Sequence, residues 1–341
     1  MHDFDMISHL LRSNPFHISS LLTVSDFLGH SGDAQGAANL IERALYAFER
    51  SFHPTFKVNS RNILSFNYYE NRQFYLILFR HLKYQSQKGC WRTCFEFSKY
   101  IFSLNVEEDP YCMSLLMDFY ALKSAQYSSL LEIFKVHEKE FSLLPNWKYS
   151  VALATYLSGN TRESEVLLSE AILYYPRIVI ALNDSHGLNL GLESLIQQIP
   201  LESRIGLKIV ESIYIERFLT EWKNPDLSKW IKRGLELVIT NPMLESEISK
   251  SQQCKDDNYS GIPLDIYRHL FVCGIPIKFS SLELKIADAK LPRELASKDI
   301  RSHDPFPPEK GVPSVFDGDS FNGTVDRITR IAQSVLSSFF Q

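Results

Sequence analysis

Residues 147–176 read WKYSVALATYLSGNTRESEVLLSEAILYYP, and this stretch decides the fold. Around the central Gly159, small residues and a proline recur at intervals of seven, five, seven and five residues: Ala152, Ser164, Ala171 and Pro176. Glycine suits a tight turn, and small side chains let two helices cross closely. Apolar residues follow helical spacing on both sides of the turn. The stretch therefore predicts an antiparallel helix pair at 147–158 and 161–174.

The same spacing recurs earlier in the chain. Ser25, Ala37 and Ala44 repeat it around Gly32, and looser versions surround Gly89 and Ala125. The anchors at 89, 125 and 159 are 36 and 34 residues apart, which is close to the tetratricopeptide period of about 34 residues. The corresponding helix pairs are predicted at 18–30 with 35–52, at 72–86 with 91–104, and at 111–123 with 127–139. The predicted fold class is all-α, a tetratricopeptide-like helical-repeat solenoid whose concave surface binds a partner.

The remainder of the chain is less regular, and we expect three regions. These are tetratricopeptide-like repeats at 1–176, further helical hairpins at 177–245, and a loop-rich region at 246–341 that packs on the solenoid. The hairpin region contains predicted helices at 204–222 and 227–240. The last region contains a polar surface loop at 246–262, an extended proline-rich segment at 299–320 and a terminal helix at 324–340.

The amino-acid composition argues against a disordered chain, a nucleic-acid-binding protein and a membrane-spanning protein. With 45% apolar and 22% charged residues, the chain has the balance of a folded protein rather than a disordered one. Its net charge of −4 lacks the basic excess of a protein that binds nucleic acid through phosphates, so we expect no direct sequence-specific nucleic-acid binding. No apolar run approaches the 18 residues of a membrane span, and no secretory signal opens the chain. We therefore predict a cytoplasmic protein, with the nucleus as a second location.

Chemical motifs are missing from the sequence. The five cysteines are odd in number and contain no Cys-x-x-Cys pair, which argues against a disulfide framework or a zinc site. Neither common phosphate-binding glycine loop occurs. His137-Glu138 begins a zinc-protease motif, but Phe141 stands where the second histidine is required. We therefore predict no cofactor, no metal and no enzymatic activity.

Three clusters remain as candidate partner-binding sites. Trp222, Lys223, Pro225 and Trp230 bracket a helix break; the two rings either pack the hairpin or form an exposed corner of the kind that dominates binding energy. Tyr267, Arg268 and His269 either form an internal ion pair or cap, or line a groove for an acidic partner. Asp304, Pro305 and Phe306 either pin the C-terminal segment on the solenoid or contact a partner.

The sequence resembles the transcription factor 25 family, also called ribosome quality control complex subunit 1. The resemblance rests on strings that occur in the same order: NPFHISSLL (14–22), LIERALYAFE (40–49), FHP (52–54), ENRQFY (70–75), KGCWRT (88–93), EEDP (107–110), LPN (144–146), YYP (174–176), WKNP (222–225), YRH (267–269) and DPFPP (304–308). The similarity is strong over 14–176 and patchy beyond.

This resemblance implies a scaffold in ribosome-associated quality control. Such a subunit works with the Listerin-type ubiquitin ligase and with ubiquitin, and it helps recruit the valosin-containing AAA+ segregase that extracts stalled nascent chains. Family members carry a long charged N-terminal region, whereas the helices here begin within about 14 residues of Met1. We therefore expect contact with the large ribosomal subunit to be indirect or to depend on such a tail. The alternative is a helical-repeat adaptor that acts as a nuclear transcriptional repressor.

Overall fold

The computed structural model describes residues 2–58, 62–186, 190–192, 198–199, 204–259, 261–274, 303–312 and 314. Within these residues the chain is 72% helical and contains no strand. Tyr68 and Val312 form an isolated β-bridge. The prediction of an all-α fold is confirmed. The predicted terminal helix at 324–340 lies outside the described residues.

The chain forms two compact units. Unit 1 comprises Met1–Cys90, Lys99–Tyr111 and Asp299–Gln341, and unit 2 comprises Trp91–Ser98 and Cys112–Lys298. The helices of unit 1 are α1 (His2–Ser13), α2 (Ile18–His30), α3 (Ala34–Ser51), α4 (Tyr69–Gln87) and the end of α5 (Trp91–Ser103). In this unit α1 packs on α2, α2 on α3, and α3 on α4.

Unit 2 contains the start of α5 and all later helices that the structure describes. These are α6 (Met117–Lys123), α7 (Tyr127–Val136), α8 (Glu138–Phe141), α9 (Pro145–Leu157), α10 (Thr161–Tyr174), α11 (Pro176–His186), α12 (Ile205–Phe218), α13 (Pro225–Ile239), α14 (Leu244–Asn258) and α15 (Leu264–Cys273). Short 3₁₀ turns occupy Met113–Leu115 and Glu221–Lys223. Helix α10 packs between α9 and α13, and α11 packs against α12.

The four predicted turns are present, and each contains a residue in the left-handed region. The φ angles are +89° at Gly32, +75° at Gly89, +53° at Ala125 and +92° at Gly159. Three of these positions are therefore glycines because a side chain would strain the backbone there. The small residues expected at the helix crossings are fully buried, as Ala44 and Ala171 show. The five-and-seven spacing thus located all four turns, and α2 packs on α3, α6 on α7 and α9 on α10 as predicted.

The polar loop predicted at 246–262 is wrong, because most of it forms α14. This helix is polar on its outer face, and its sequence therefore lacks an obvious apolar stripe. Its inward face is formed by Ser251 and Lys255, which are spaced i, i+4 and both buried. The Lys255 ammonium group lies 5.9 Å from the centre of the Tyr175 ring. A long side chain with a buried stem and an aromatic neighbour thus supplements the partly buried Leu244 and Ile248 of the same face, which pack on the core.

Three helix ends also differ from the sequence-based bounds. The predicted helix at 111–123 begins only at Met117, because Cys112 adopts a left-handed φ of +47° before the 3₁₀ turn. The predicted helix at 204–222 ends at Phe218, and the one at 127–139 is interrupted after Val136.

Candidate interaction surface

The two tryptophans of the first candidate cluster lie in the core of unit 2. Trp222 is 1% exposed and Trp230 is 3% exposed. Their rings stack with centroids 5.9 Å apart, and Tyr156 stacks on Trp230 at 4.8 Å. The Trp230 indole N–H donates to the Ser164 hydroxyl at 3.0 Å. Of the two alternatives for this cluster, the structure therefore has the packed hairpin and not the exposed corner: the rings fill the space between helices.

The turn between the two tryptophans fixes where α13 begins. The Asn224 side-chain oxygen accepts a hydrogen bond from the Asp226 amide at 3.0 Å, and Pro225 occupies the first turn. Both features favour helix initiation at this point. Lys223 ends the preceding 3₁₀ turn. The side chains of Lys223 and Pro225 are outside what the structure describes.

The opposite side of α13 carries an exposed set of cations. Lys229, Lys232 and Arg233 are all exposed and follow i, i+3, i+4 spacing, which places them on one side of the helix. The exposed Glu236 lies on the same side, so these four charged residues together carry a net charge of +2. We call the three cations the basic face of α13. None of them forms an ion pair with a described residue. Buried Trp230 and Leu235 hold the other side of the helix in the core, so the basic face is presented from a rigidly anchored element.

Sequence reasoning missed this face, although a signal for it was present. The run Lys229-Trp230-Ile231-Lys232-Arg233 places two buried residues between three cations, which is typical of a helix that anchors one side and exposes the other.

The second candidate cluster is also internal to unit 2. Arg268 is 1% exposed and donates to Asp265 at 2.5 Å, one turn earlier in α15. His269 is fully buried, and its Nε2 lies 2.6 Å from Nη2 of Arg217 on α12. Tyr267 is half-buried, and burial raises its pKa above the usual value. The groove for an acidic partner is therefore corrected to an internal arrangement, because neither cationic side chain reaches solvent.

The third cluster lies in unit 1 and holds the C-terminal segment against α4. Arg72 donates from Nε and Nη2 to the two carboxylate oxygens of Asp304, at 2.7 and 2.8 Å. Pro305 is buried, and Phe306 is 5% exposed at a left-handed φ of +48°.

Two further hydrogen bonds extend this attachment. The Val312 amide donates to the Asn67 carbonyl at 2.7 Å, and the Ser314 hydroxyl donates to Glu70 at 2.8 Å. We call residues 303–312 with Ser314 the strap. Arg72 was not singled out in the sequence, because its carboxylate partner Asp304 lies 232 residues away.

Unit 2 also contains a fully buried acid. Burial raises the pKa of Asp118 because it removes water from the carboxylate, and a hydrogen bond donated by the Ser150 hydroxyl at 2.7 Å opposes this shift. Within the described part of the chain, no group of three or more histidine, cysteine or acidic side chains is arranged to hold a metal ion. None of the described helices has the length and apolar character needed to cross a bilayer.

Comparison with known proteins gives a consistent set of relatives. A family model described as transcriptional repressor TCF25 matches residues 1–308. The chain is 30% identical over 327 residues to the ribosome quality control complex subunit TCF25 of Mus musculus, covering 88% of this chain and 46% of that protein. It is 31% identical over 231 residues to ribosome quality control complex subunit 1 of Schizosaccharomyces pombe, covering 67% of this chain and 34% of that protein.

A further relative is named as a transcription factor and not as a subunit of a complex. The chain is 28% identical over 353 residues to the probable transcription factor claV of Ampulloclitocybe clavipes, covering 93% of this chain and 44% of that protein. The chain thus spans less than half the length of these three relatives. No solved structure matches it.

Proposed function

Since this chain belongs to the Tcf25 family, we propose that it is a non-enzymatic scaffold subunit of a ribosome quality control complex. The observation that carries this proposal is the alignment of most of the chain with relatives that are named as subunits of that complex. The all-α fold suits the role, because stacked helices offer extended surfaces for partner binding.

The proposed mechanism is binding rather than chemistry. The scaffold holds a Listerin-type ubiquitin ligase and ubiquitin together, which raises their effective concentration and favours one orientation of transfer. The valosin-containing AAA+ segregase then extracts the stalled nascent chain. Contact with the large ribosomal subunit is indirect or depends on sequence outside this helical region.

The basic face of α13 is our candidate contact surface. Its three exposed cations favour an acidic partner surface, and long-range attraction of this kind speeds association more than it adds affinity. Because Trp230 fixes the helix in the core, the face loses little conformational freedom on binding.

The experiment compares two triple variants expressed in cells. The first is Lys229→Gln, Lys232→Gln and Arg233→Gln. The matched control is Lys135→Gln, Lys139→Gln and Arg162→Gln, which removes three exposed cations from the same unit with the same change in net charge. Ligase, ubiquitin and large-subunit proteins that co-purify with each chain are quantified. We expect the wild type and the control to retain the ligase and the α13 variant to lose most of it.

The experiment tests the scaffold role of the chain and the assignment of the contact to α13 independently. If the wild-type chain retains neither ligase nor large-subunit proteins, the scaffold proposal fails. If both variants retain the ligase equally, the contact lies on another surface and the assignment to α13 fails.

A second candidate function is a helical-repeat adaptor in transcriptional repression. The description of the family model and the name of the fungal relative favour it. Retention of the chain in the nucleus, together with repression of a reporter to which it is tethered, would support this candidate.

A further inference from the structure

Four buried polar atoms of unit 2 have no hydrogen-bond partner among the described residues. They are Oδ1 of Asp118, Oδ1 of Asn146, the hydroxyl of Tyr214 and Nε1 of Trp222. None of the four residues is more than 2% exposed, so bulk water does not reach these atoms. Buried polar groups in folded proteins are nearly always paired, either with the protein or with an ordered water. Four unpaired atoms in one unit therefore need a common partner or four separate ones.

The two acceptors lie on neighbouring helices and face the same place. The Ser150 hydroxyl of α9 donates to Oδ2 of Asp118 at 2.7 Å, which leaves Oδ1 of that carboxyl without a donor. Asn146 lies one turn before Ser150, so the two side chains share a face of α9. Burial raises the pKa of Asp118, and the side chains of Ser150 and then Asn146 oppose this shift. Asn146 therefore lies beside the same carboxyl as Ser150.

The two donors lie next to this pair. The ring centroid of Tyr149 is 5.8 Å from that of Tyr214 and 6.1 Å from that of Trp222. Burial and then the charge of Asp118 raise the pKa of Tyr214, whereas the side chains of Trp222 and Ser150 lower it. These three side chains therefore surround the Tyr214 hydroxyl. We call the following five residues the polar cluster: Asp118, Asn146, Ser150, Tyr214 and Trp222.

The unpaired atoms divide equally into acceptors and donors. Oδ1 of Asp118 accepts, and so does Oδ1 of Asn146, whose amide orientation is fixed because Nδ2 donates to the Ser114 carbonyl at 2.9 Å. The Trp222 indole N–H can only donate, and the Tyr214 hydroxyl can donate. A metal cation cannot accept from the indole, and an anion would be repelled by the two acceptor oxygens. A water molecule donates twice and accepts twice, so it matches the set.

We propose that the polar cluster binds an internal water molecule, which donates to Asp118 and Asn146 and accepts from Tyr214 and Trp222. Internal waters typically make about three hydrogen bonds to groups that are otherwise unpaired, so four partners hold this one firmly. The water connects α6, α9, α12 and the 3₁₀ turn Glu221–Lys223. It is therefore a component of the core of unit 2 and not exchangeable surface solvent.

The first test is a high-resolution crystal structure of the full chain. We expect density for one ordered water, with all four atoms at hydrogen-bonding distances of about 2.7–3.2 Å from its oxygen. Density that shows the four groups bonded directly to one another, or a side chain in the position of the water, would overturn the proposal.

The second test detects the water in solution by NMR spectroscopy of the full ¹⁵N-labelled chain. We expect a dipolar cross-peak between the Trp222 indole proton and the water resonance. Trp147 is the internal control, because it is equally buried and its indole N–H donates to the Ser114 carbonyl at 2.7 Å. Its indole proton should show no such cross-peak, and equal signals from the two indoles would overturn the proposal.

A variant distinguishes a bound water from a signal relayed by the Tyr214 hydroxyl. Tyr214→Phe removes that hydroxyl and leaves the water three partners, so the cross-peak of Trp222 should persist. Circular dichroism checks that the variant is folded. Loss of the cross-peak in the folded variant would assign the signal to the hydroxyl and overturn the proposal; if the variant does not fold, the density in the wild-type crystal decides.

Discussion

The guanidinium of Arg72 and the carboxylate of Asp304 form a bidentate pair across 232 residues of sequence, with both side chains largely buried. Arg72 also donates from Nη1 to the Asn67 carbonyl at 2.7 Å, so one side chain secures both the start of α4 and the strap. A bidentate pair fixes the relative orientation of the guanidinium and the carboxylate as well as the distance between them. The strap is therefore positioned by its chemistry at Asp304 as much as by the burial of Phe306.

Asp304→Asn should destabilise unit 1 by about 3 kcal/mol, because it leaves the buried Arg72 guanidinium without its counter-charge. The measurement is the urea midpoint of the variant against that of the wild type. Glu96→Gln is the control, since Glu96 pairs with Arg92 on the surface and such pairs contribute less than about 1 kcal/mol. Equal effects of the two substitutions would mean that the buried pair is not a stabilising contact.

Ala171→Leu should cost roughly 1–3 kcal/mol, because Ala171 is fully buried where α10 packs and the extra atoms overfill the site. Chemical denaturation measures the change. The matched control is Ala34→Leu, at an exposed position, which should have little effect. An unchanged denaturation midpoint for Ala171→Leu would contradict the proposed helix crossing.

Gly159→Ala should cost about 1–2 kcal/mol through backbone strain alone, because a Cβ added there meets nothing within 4 Å while φ is +92°. Gly261→Ala is the control: a Cβ there also meets nothing, and its φ lies outside the left-handed region. The reverse change, Ala125→Gly, should raise stability by up to about 1 kcal/mol, because Ala125 is exposed and has a positive φ. Thermal unfolding of the three variants tests the series, and equal losses for Gly159→Ala and Gly261→Ala would contradict the strain argument.

Trp222→Ala should cost about 3–5 kcal/mol of stability, since it removes a fully buried ring that packs on Trp230 and Tyr149. The α13 variant described above should unfold close to the wild-type midpoint, because its three positions are exposed. Near wild-type stability of Trp222→Ala would show that the ring is not part of the core in solution.

Asp118 should make stability depend on pH in a defined direction. Its folded-state pKa is raised by burial, so between its unfolded value near 3.8 and the higher folded value the folded chain binds more protons than the unfolded chain. Stability from this group is therefore greatest at low pH and falls as pH rises through that window. Asp118→Asn removes this dependence, so the variant should gain stability relative to the wild type between pH 4.5 and pH 7.5. Urea midpoints of both chains at the two pH values provide the check, and a relative loss at the higher pH would reverse the assignment.

The parts of the fold that sequence predicted are those set by local geometry. Gly159 and Ala171 act through the backbone and the helix surface next to them, so their spacing alone identifies a turn and a crossing. The polar helix α14 escaped prediction because Lys255 is buried by a neighbour, Tyr175, that lies far away in sequence. Its local composition resembles that of a loop.

The candidate sites show the same division between local and distant causes. The helix break between Trp222 and Trp230 could be located from Asn224 and Pro225, which act on the adjacent residues. The burial of both rings could not be predicted from the sequence, because it depends on contacts with Tyr156 and Ser164 of other helices. The pairing of Arg72 with Asp304 likewise has no local signature.

The strap has a consequence for the order in which the protein is made. Arg72 leaves the ribosome long before Asp304 is synthesised, and at about 5–20 residues per second the 232 intervening residues take roughly 12–46 s. During that interval the Arg72 guanidinium is without its carboxylate. Unit 1 is thus completed only after unit 2 has been translated, although most of unit 1 is translated first.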